Sequence, residues 1–335
     1  MVKKVSVVIL NYNGKKWLEK FLPNVTQHCQ YDWCEVVVAD NASTDDSVDF
    51  LIKNYSHLKL IVLQSNTGYA GGYNQSLAQI DSEYYILLNS DVELSDNWLP
   101  PLIDFMDAHK EVGAVQPIIK SYHQPDEFEY AGGAGGFIDF LGYPFCRGRI
   151  FETLEKDTNQ YTQNIECHWA SGACLVIRKD IFNKAGKLDD DFFAHMEEID
   201  LCWRVRMLGY KVYCITTSTV FHVGGGTLPQ GNPRKTFLNF RNNLSMIFKN
   251  ESLLMMILVI TARLFLDGLA GIYSLIVKKN IQDVVAIIKA HWSFFLLIPS
   301  LIKKRNSVIR ASVVTYRSSI VFNYFIQQKK YFKDL

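Results

Sequence analysis

Asp40 and Asp91 each follow a short apolar run, residues 36–39 and 84–88, and each opens a polar turn. A carboxylate at such a strand end can accept from the ring N–H of a uracil or thymine. It can equally hold a hard divalent cation, Mg2+ or Mn2+, for which oxygen ligands are preferred. Taken singly, either aspartate serves as well as a turn or cap residue; as a pair they describe a nucleotide site with a cation. Further along, Met196-Glu197-Glu198-Ile199-Asp200 sets three carboxylates at a helix start. Acids favour a first turn, and Asp200 can pair with Arg204 one turn on. Adjacent Glu197 and Glu198 repel when both ionise, which raises the proton affinity of one. That suits a general base taking a proton from an acceptor hydroxyl. His222, ahead of Gly224-Gly225-Gly226, offers a neutral imidazole nitrogen to the cation, or is simply structural. Gly68, Gly71 and Gly72 open a helix, where backbone N–H groups can approach an anion or simply form a tight turn.

What must position these groups is written in the spacing. Short β-branched runs at residues 5–10, 35–39, 58–63, 84–88 and 112–115 alternate with helical patterns at 15–29, 44–55, 70–80 and 97–109. This predicts a parallel sheet covered on both faces, with ligands at the carboxyl ends of its strands. Ser43 with Asp46 three residues on predicts a capping box for the second helix. Residues 121–164 break into glycine and aromatic residues, among them Tyr130-Ala131-Gly132-Gly133, and read as an ordered functional insertion. A strand over 167–178, a helix over 197–208 ended by Gly209, and a strand over 211–220 follow.

At 335 residues, 48% hydrophobic and 21% charged, the chain has room for two ordered domains. The net charge of +1 hides a split. Residues 234–335 hold 16 Lys/Arg against 4 Asp/Glu, leaving 19 against 30 elsewhere, so the front is near −11 and the tail near +12. The seven cysteines form no C-x-x-C pair and read as buried free thiols of a reducing compartment. The apolar run 5–10 is too short for a secretory leader, which places the catalytic part in the cytoplasm. In the tail, residues 253–277 carry only Arg263 and Asp267 as charges, and a second apolar stretch, 292–302, runs into Lys303-Lys304-Arg305. By length the first can span a bilayer. Arg263 and Asp267, four apart, share a helix face, which suits an interfacial helix beside anionic lipid; buried core helices are the alternative. The expected division is a catalytic domain over 1–232 and a basic, apolar helical region over 233–335. That region would lie at the cytoplasmic face of the inner membrane, peripheral or partly inserted, with no nucleic-acid partner.

Seven segments in order resemble glycosyltransferase family 2, particularly its bacterial rhamnosyltransferase-like members. They are residues 7–13, 38–43, 66–74, 87–91, 171–173, 197–201 and His222, and they cover roughly residues 5–226. The resemblance implies the GT-A fold, a Rossmann-like, mostly parallel sheet, here with a C-terminal helical membrane-associating region. It implies inverting transfer of a sugar from a nucleotide-diphosphate donor. Asp40 then resembles the base-binding aspartate, with Asn11, Asn13, Ser43, Gly71, Asn74, Asn89 and Ser90 on the nucleotide-sugar. Asp91 resembles the last aspartate of a D-x-D metal motif whose first position is Asn89, and His222 the second metal ligand. Glu198 falls where the family has its aspartate base, with Glu197 as the alternative. Trp169, Ser171, Gly172 and Asp200 fall at the sugar and acceptor pocket. The implied donor is dTDP-rhamnose or another UDP-, dTDP- or GDP-sugar, and the implied acceptor a lipid-linked glycan in cell-surface polysaccharide assembly. Two rivals share parts of this pattern. A sugar nucleotidyltransferase carries a glycine-rich basic loop that Asn11-Tyr12-Asn13-Gly14 lacks; a non-catalytic membrane-bound sugar-nucleotide-binding subunit has no need of Asp91, Glu198 and His222.

Overall fold

The computed structural model describes residues 3–129, 132–224, 231–306, 313 and 315–335. Of the expected glycine–aromatic insertion, Tyr130 and Ala131 lie outside the described residues, as do Gly225 and Gly226 after His222. The first half alternates as its periodicity requires: β1 (Lys3–Asn11), α1 (Lys15–His28), β2 (Cys34–Asp40), α2 (Ser47–Asn54), β3 (Lys59–Val62), α3 (Gly68–Leu77) and β4 (Ser82–Asn89). These strands are parallel, in the order β3-β2-β1-β4. Val7, Val8, Val37, Leu87 and their neighbours are buried on both faces, which is why the runs are continuously apolar.

The second half mixes directions. It runs β5 (Val92–Leu94), α4 (Leu99–Ala108), β6 (Val112–Ser121), β7 (Gly136–Ile138), β8 (Pro144–Cys146), β9 (Arg149–Ile150), β10 (Thr153–Leu154) and β11 (Ile165–Cys167). Then come β12 (Cys174–Arg178), α5 (Lys179–Lys184), α6 (Glu197–Met207) and β13 (Lys211–His222). Strand β12 lies antiparallel between β4 and β6, and β13 runs parallel to β6. The main sheet is therefore mostly parallel with antiparallel members. The insertion that sequence could not resolve is a small antiparallel sheet, β10-β9-β8-β7. All seven cysteines are free and buried.

The predicted capping box is not formed. Helix α2 starts at Ser47 with Asp46 as its cap and no side-chain cap bond. The reason lies across the turn, where the Asn13 side chain accepts from the amides of Thr44 (2.7 Å) and Asp45 (3.3 Å) and draws the 43–45 segment toward β1.

The tail folds as α7 (Pro233–Asn250), α8 (Leu253–Ile276) and α9 (Ile281–Asn306). Helix α7 is bound to the sheet domain by charge. Lys249 reaches Asp189 (2.5 Å) and Asp200 (3.0 Å), and Arg204 bonds Asp200 at 2.7 Å, all four buried. Burial alone would raise both aspartates. Lys249 with Lys304 holds Asp189, and Arg204 with Lys249 holds Asp200, below the ordinary carboxylate range.

Arg263 and Asp267 do share a face of α8, but that face points inward. Both are buried; Arg263 donates to the Leu141 carbonyl (3.1 Å), stacks over the Tyr143 ring (3.7 Å) and pairs with Asp267 (3.3 Å). The opposite face exposes Leu254, Leu258, Phe265 and Ile272. A water-facing helix does the reverse. The expected amphipathic helix is present with its polar side spent on the protein, so its apolar side faces outward.

Deleting the shared cation of the buried aspartates, Lys249→Met, is expected to cost about 3–5 kcal/mol, since it strands charge already out of water. Urea unfolding monitored by circular dichroism measures this, with Lys156→Met, from an exposed pair, staying within about 0.5 kcal/mol of the parent.

Candidate active site

The carboxyl ends of β1 and β2 meet at Asp40. Its carboxylate is fully buried, accepting from Asn11 Nδ2 (2.9 Å) through one oxygen and from the Ser43 amide (2.8 Å) through the other. Ser43 Oγ in turn accepts from the Asn13 amide (2.9 Å) and from Asn11 Nδ2 (3.2 Å). Four of the expected nucleotide residues therefore form one hydrogen-bonded unit. Asn41, which sequence reasoning passed over, ties this unit to the next loop. It donates to Asn66 Oδ1 (3.1 Å) and to the Gly68 carbonyl (3.0 Å), and accepts from the Thr67 amide (3.2 Å).

The glycine-rich start of α3 departs from its expected role. Its amides at Tyr69 (2.6 Å) and Ala70 (3.3 Å) both donate to the Phe193 carbonyl, and Gly68 N donates to Asn66. Those donors are therefore spent on protein rather than offered to an anion. The glycines are required by packing. A Cβ on Gly68, already at φ +75°, would overlap the Phe193 carbonyl, one on Gly71 would overlap Thr67, and one on Gly72 would overlap Leu10. Asn74 is engaged with the segment before α6, donating to the Leu188 carbonyl (2.8 Å) and the Asp190 carboxylate (2.7 Å) and accepting from the Leu188 amide (3.2 Å).

At the end of β4, Asp91 Oδ1 and His222 Nε2 converge to 3.2 Å, and Asn89 Nδ2 lies 3.3 Å from the same ring nitrogen. Ser90 is half-buried, its Oγ near Gly14. Glu129 stands on the far side of the imidazole, Oε1 3.4 Å from Nδ1. Burial depresses the imidazolium, but the carboxylates of Glu129 and Asp91 outweigh it and raise His222 to about 10. One carboxylate oxygen and one imidazole nitrogen, its proton released on binding, with a second carboxylate fixing the ring, fit a divalent cation that takes its other ligands from phosphate oxygens and water. Among the described residues no three His, Cys, Asp or Glu side chains form a cage that would hold such an ion unaided. Glu129 carries no sequence signal, because it sits in the irregular insertion; its amide bonds the Ile119 carbonyl (3.0 Å), which sets it beside β13.

Asn89 also joins this corner to the carboxylate pair. Its amide donates to the Ala173 carbonyl (3.0 Å), next to Gly172, and a Cβ on Gly172 would lie 3.7 Å from Glu198 Cγ. Tyr69, absent from the sequence reading, donates to the Gly172 carbonyl (2.7 Å). Glu197 is buried and Glu198 half-buried, and Oε2 of each has no hydrogen-bond partner. Burial lifts Glu198 to about 7, opposed by the amides of Glu198, Ile199 and Gly172. Burial and the neighbouring Glu198 charge also raise Glu197 well above the ordinary carboxylate range.

Three residues expected at the pocket are otherwise engaged. Trp169 is buried in the core, with its indole N–H given to the Phe137 carbonyl (2.9 Å) and Gly136 pressed against its ring. Ser171 is buried in the turn before β12, where its amide donates to Gln116 (2.9 Å). Asp200 is saturated: Arg204 and Lys249 on Oδ2, Asn250 on Oδ1 (2.8 Å). The pairing with Arg204 anticipated for it is the one formed.

The family model for glycosyl transferase family 2 matches residues 6–186, more than half of the chain, and the chain belongs to that family. It is 25% identical over 240 residues to N-acetylglucosaminyl-diphospho-decaprenol L-rhamnosyltransferase of Mycobacterium tuberculosis, covering 66% of this chain and 76% of that protein. It matches GalNAc-T7 with UDP, GalNAc and Mn2+ at a TM-score of 0.58 and 16% identity, over 74% of this chain and 48% of that one. It also matches mannosyltransferase PcManGT of Pyrobaculum calidifontis, in complex with GDP-Man and Mn2+, at a TM-score of 0.53 and 15% identity, over 90% and 76%. The chain is a glycosyltransferase with the GT-A fold.

Glu129→Gln keeps shape and burial but weakens the acceptor at His222 Nδ1. Mn2+ binding in the presence of UDP, followed by titration calorimetry, is expected to weaken about 10–100-fold.

Proposed function

We propose that this enzyme transfers a sugar with inversion from dTDP-rhamnose, or another UDP-, dTDP- or GDP-sugar, to a hydroxyl of a lipid-linked glycan in cell-surface polysaccharide assembly. The observation that carries the reading is the Glu197–Glu198 pair, two adjacent carboxylates with unpartnered buried oxygens, joined through Gly172 and Asn89 to the Asp91–His222 corner. A sheet protein gains nothing in stability from such a pair; its use is to receive a proton.

Glu198 is assigned as the base, because it is the half-buried member of the pair and its proton affinity lies near neutrality, whereas burial raises that of the fully enclosed Glu197. Its Oε2 takes the hydroxyl proton as the acceptor oxygen bonds to the anomeric carbon. The bond to the nucleotide diphosphate breaks on the opposite face. Asp91 and His222 would hold a divalent cation, which supplies positive charge to the departing diphosphate. Asp40, braced by Asn11 and the Ser43 amide, retains lone pairs for a pyrimidine ring N–H, with Asn13 and Ser43 shaping that end. Asn89 and Ser90 line the turn between base and diphosphate. Gly172, with no side chain, lets the Tyr69 hydroxyl close against the backbone beside Glu198.

The name of the mycobacterial relative supports a polyprenol-diphosphate-linked acceptor. Two helices, Leu253–Ile276 and residues 281–305, are long and apolar enough to cross a membrane. The inward polar pair on α8 supports instead a hairpin lying on, or partly in, the cytoplasmic leaflet, with its outward apolar face in lipid.

A panel of UDP-, dTDP- and GDP-sugars assayed for nucleotide release identifies the donor. With that donor, Glu198→Gln is expected to lose on the order of 10²–10⁴ in kcat while nucleotide still binds. The parent's kcat should fall tenfold per pH unit below about 7, as Glu198 takes up its proton, and the variant should lack that limb. Undiminished turnover of Glu198→Gln removes it as the base.

Phe265→Asp with Ile272→Asp, both on the outward face, should abolish co-flotation with anionic vesicles and leave turnover of a short soluble acceptor intact. Carbonate washing should release the parent from membranes; retention of the parent after washing favours a true span.

A further inference from the structure

The segment that delivers Glu197 and Glu198 cannot hold its own shape. Phe193, His195 and Met196 all adopt positive φ (63°, 68° and 72°), a region costly for side chains beyond glycine. Runs of this kind persist only when their surroundings over-determine them. Here every carbonyl from Asp191 to His195 has a donor from elsewhere in the chain. Arg241 Nη2 donates to Asp191 O (2.8 Å) and Phe192 O (3.1 Å). The amides of α3 take Phe193 O. Asn242 Nδ2 lies within hydrogen-bond distance of Phe192 O (2.9 Å), Ala194 O (2.9 Å) and His195 O (2.7 Å). The Asn242 amide is itself oriented, its Oδ1 accepting from Arg241 Nε (2.8 Å), and the side chain is fully buried.

We infer that Asn242, with Arg241, is a positioning residue for the catalytic carboxylates, acting from α7 through the backbone of residues 191–196. The inference rests on the assignment of the Glu197–Glu198 pair as the proton-accepting group. Three carbonyl dipoles converge on one NH2 group, so the donor matters and not the volume. Asn242→Asp is nearly isosteric and replaces that donor with an oxygen, which the same carbonyls repel. The turn then relaxes from its strained form and carries Glu198 off the acceptor hydroxyl. Misplacement of a reacting group by about 1 Å costs on the order of 10²-fold in rate. Nucleotide binding is governed by the ends of β1, β2 and β4, which Asn242 does not touch, so it should be unchanged.

The test compares full-length parent, Asn242→Asp, Arg241→Gln and Glu198→Gln with the donor that supports turnover. Asn242→Asp is expected to lose about 10²-fold in kcat with donor KM and nucleotide affinity within about threefold of the parent. Arg241→Gln, which frees the Asp191 carbonyl and the Asn242 amide oxygen and takes one donor from the Phe192 carbonyl, should show a smaller loss of the same kind and stands in should Asn242→Asp fail to fold. Hydrogen exchange at the Tyr69 and Ala70 amides should accelerate in both, as Phe193 O is released. A folded Asn242→Asp with parental kcat overturns the inference, as does a loss confined to KM. If Glu198→Gln stays active while Asn242→Asp does not, the base assignment is at fault and the positioning of the turn stands.

Discussion

Two adjacent carboxylates at the first turn of α6, each with one buried oxygen that no protein group meets, are the constraint that the surrounding structure answers. Each would lose several kcal/mol as an isolated buried charge, so the pair survives by sharing one ionisation and by leaning on the helix start. The amides of Glu198, Ile199 and Gly172 face Glu198 and hold its proton affinity near neutrality rather than far above it. The third acid of the run is removed from the problem. Asp200, which would add to the negative field on Glu197, is neutralised by Arg204 and Lys249.

That neutralisation explains why the tail is welded to the sheet domain and not merely tethered. Lys249 belongs to α7, and so do Arg241 and Asn242; Asp189, Asp200 and the 191–195 carbonyls belong to the sheet domain. The change of composition near residue 233 marks a change of environment on the outside of the molecule. On the inside the packing continues across it without a break, and the ledger of charge balances only when both sides are counted.

Much of the site was legible because strand ends are. Asp40 and His222 close β2 and β13, Asp91 follows the end of β4 by two residues, and a mostly parallel sheet delivers such residues to one edge whatever its loops do. The pairing of Asp200 with Arg204 was legible for a similar reason, being a contact within one helix. What sequence could not supply were contacts made by irregular backbone from far along the chain. The glycines of α3 read as a cradle for an anion, yet the atom that fills the space is the Phe193 carbonyl, 125 residues downstream of Gly68. Glu129 is invisible for the converse reason: no periodicity marks the segment that places it on His222. Trp169 is expected at the pocket because the family resemblance places it there, just before Ser171-Gly172, but Gly136 from β7 closes over its ring. In each case a local pattern was sound and its partner lay in a segment without one.

The inverted helix α8 carries the same logic outward. Its polar groups are not a surface feature, since Arg263 reaches Asn243 of α7 and Asp267 meets His291 of α9 (3.3 Å). A helix that spends its charges on its own protein has only apolar side chains left to face outward, and in water that face is unfavourable by roughly 25 cal/mol for each Å2 exposed. The basic excess of the tail, +12 against −11 for the remainder, has the sign that anionic lipid would attract. Because Arg263 grips Asn243, next in sequence to Asn242, the residue that anchors α8 adjoins the one that holds the turn before α6. On the proposed function, membrane attachment and placement of the base would both depend on one stretch of α7. An acceptor presented from the bilayer would meet a base whose position is referenced to that same bilayer.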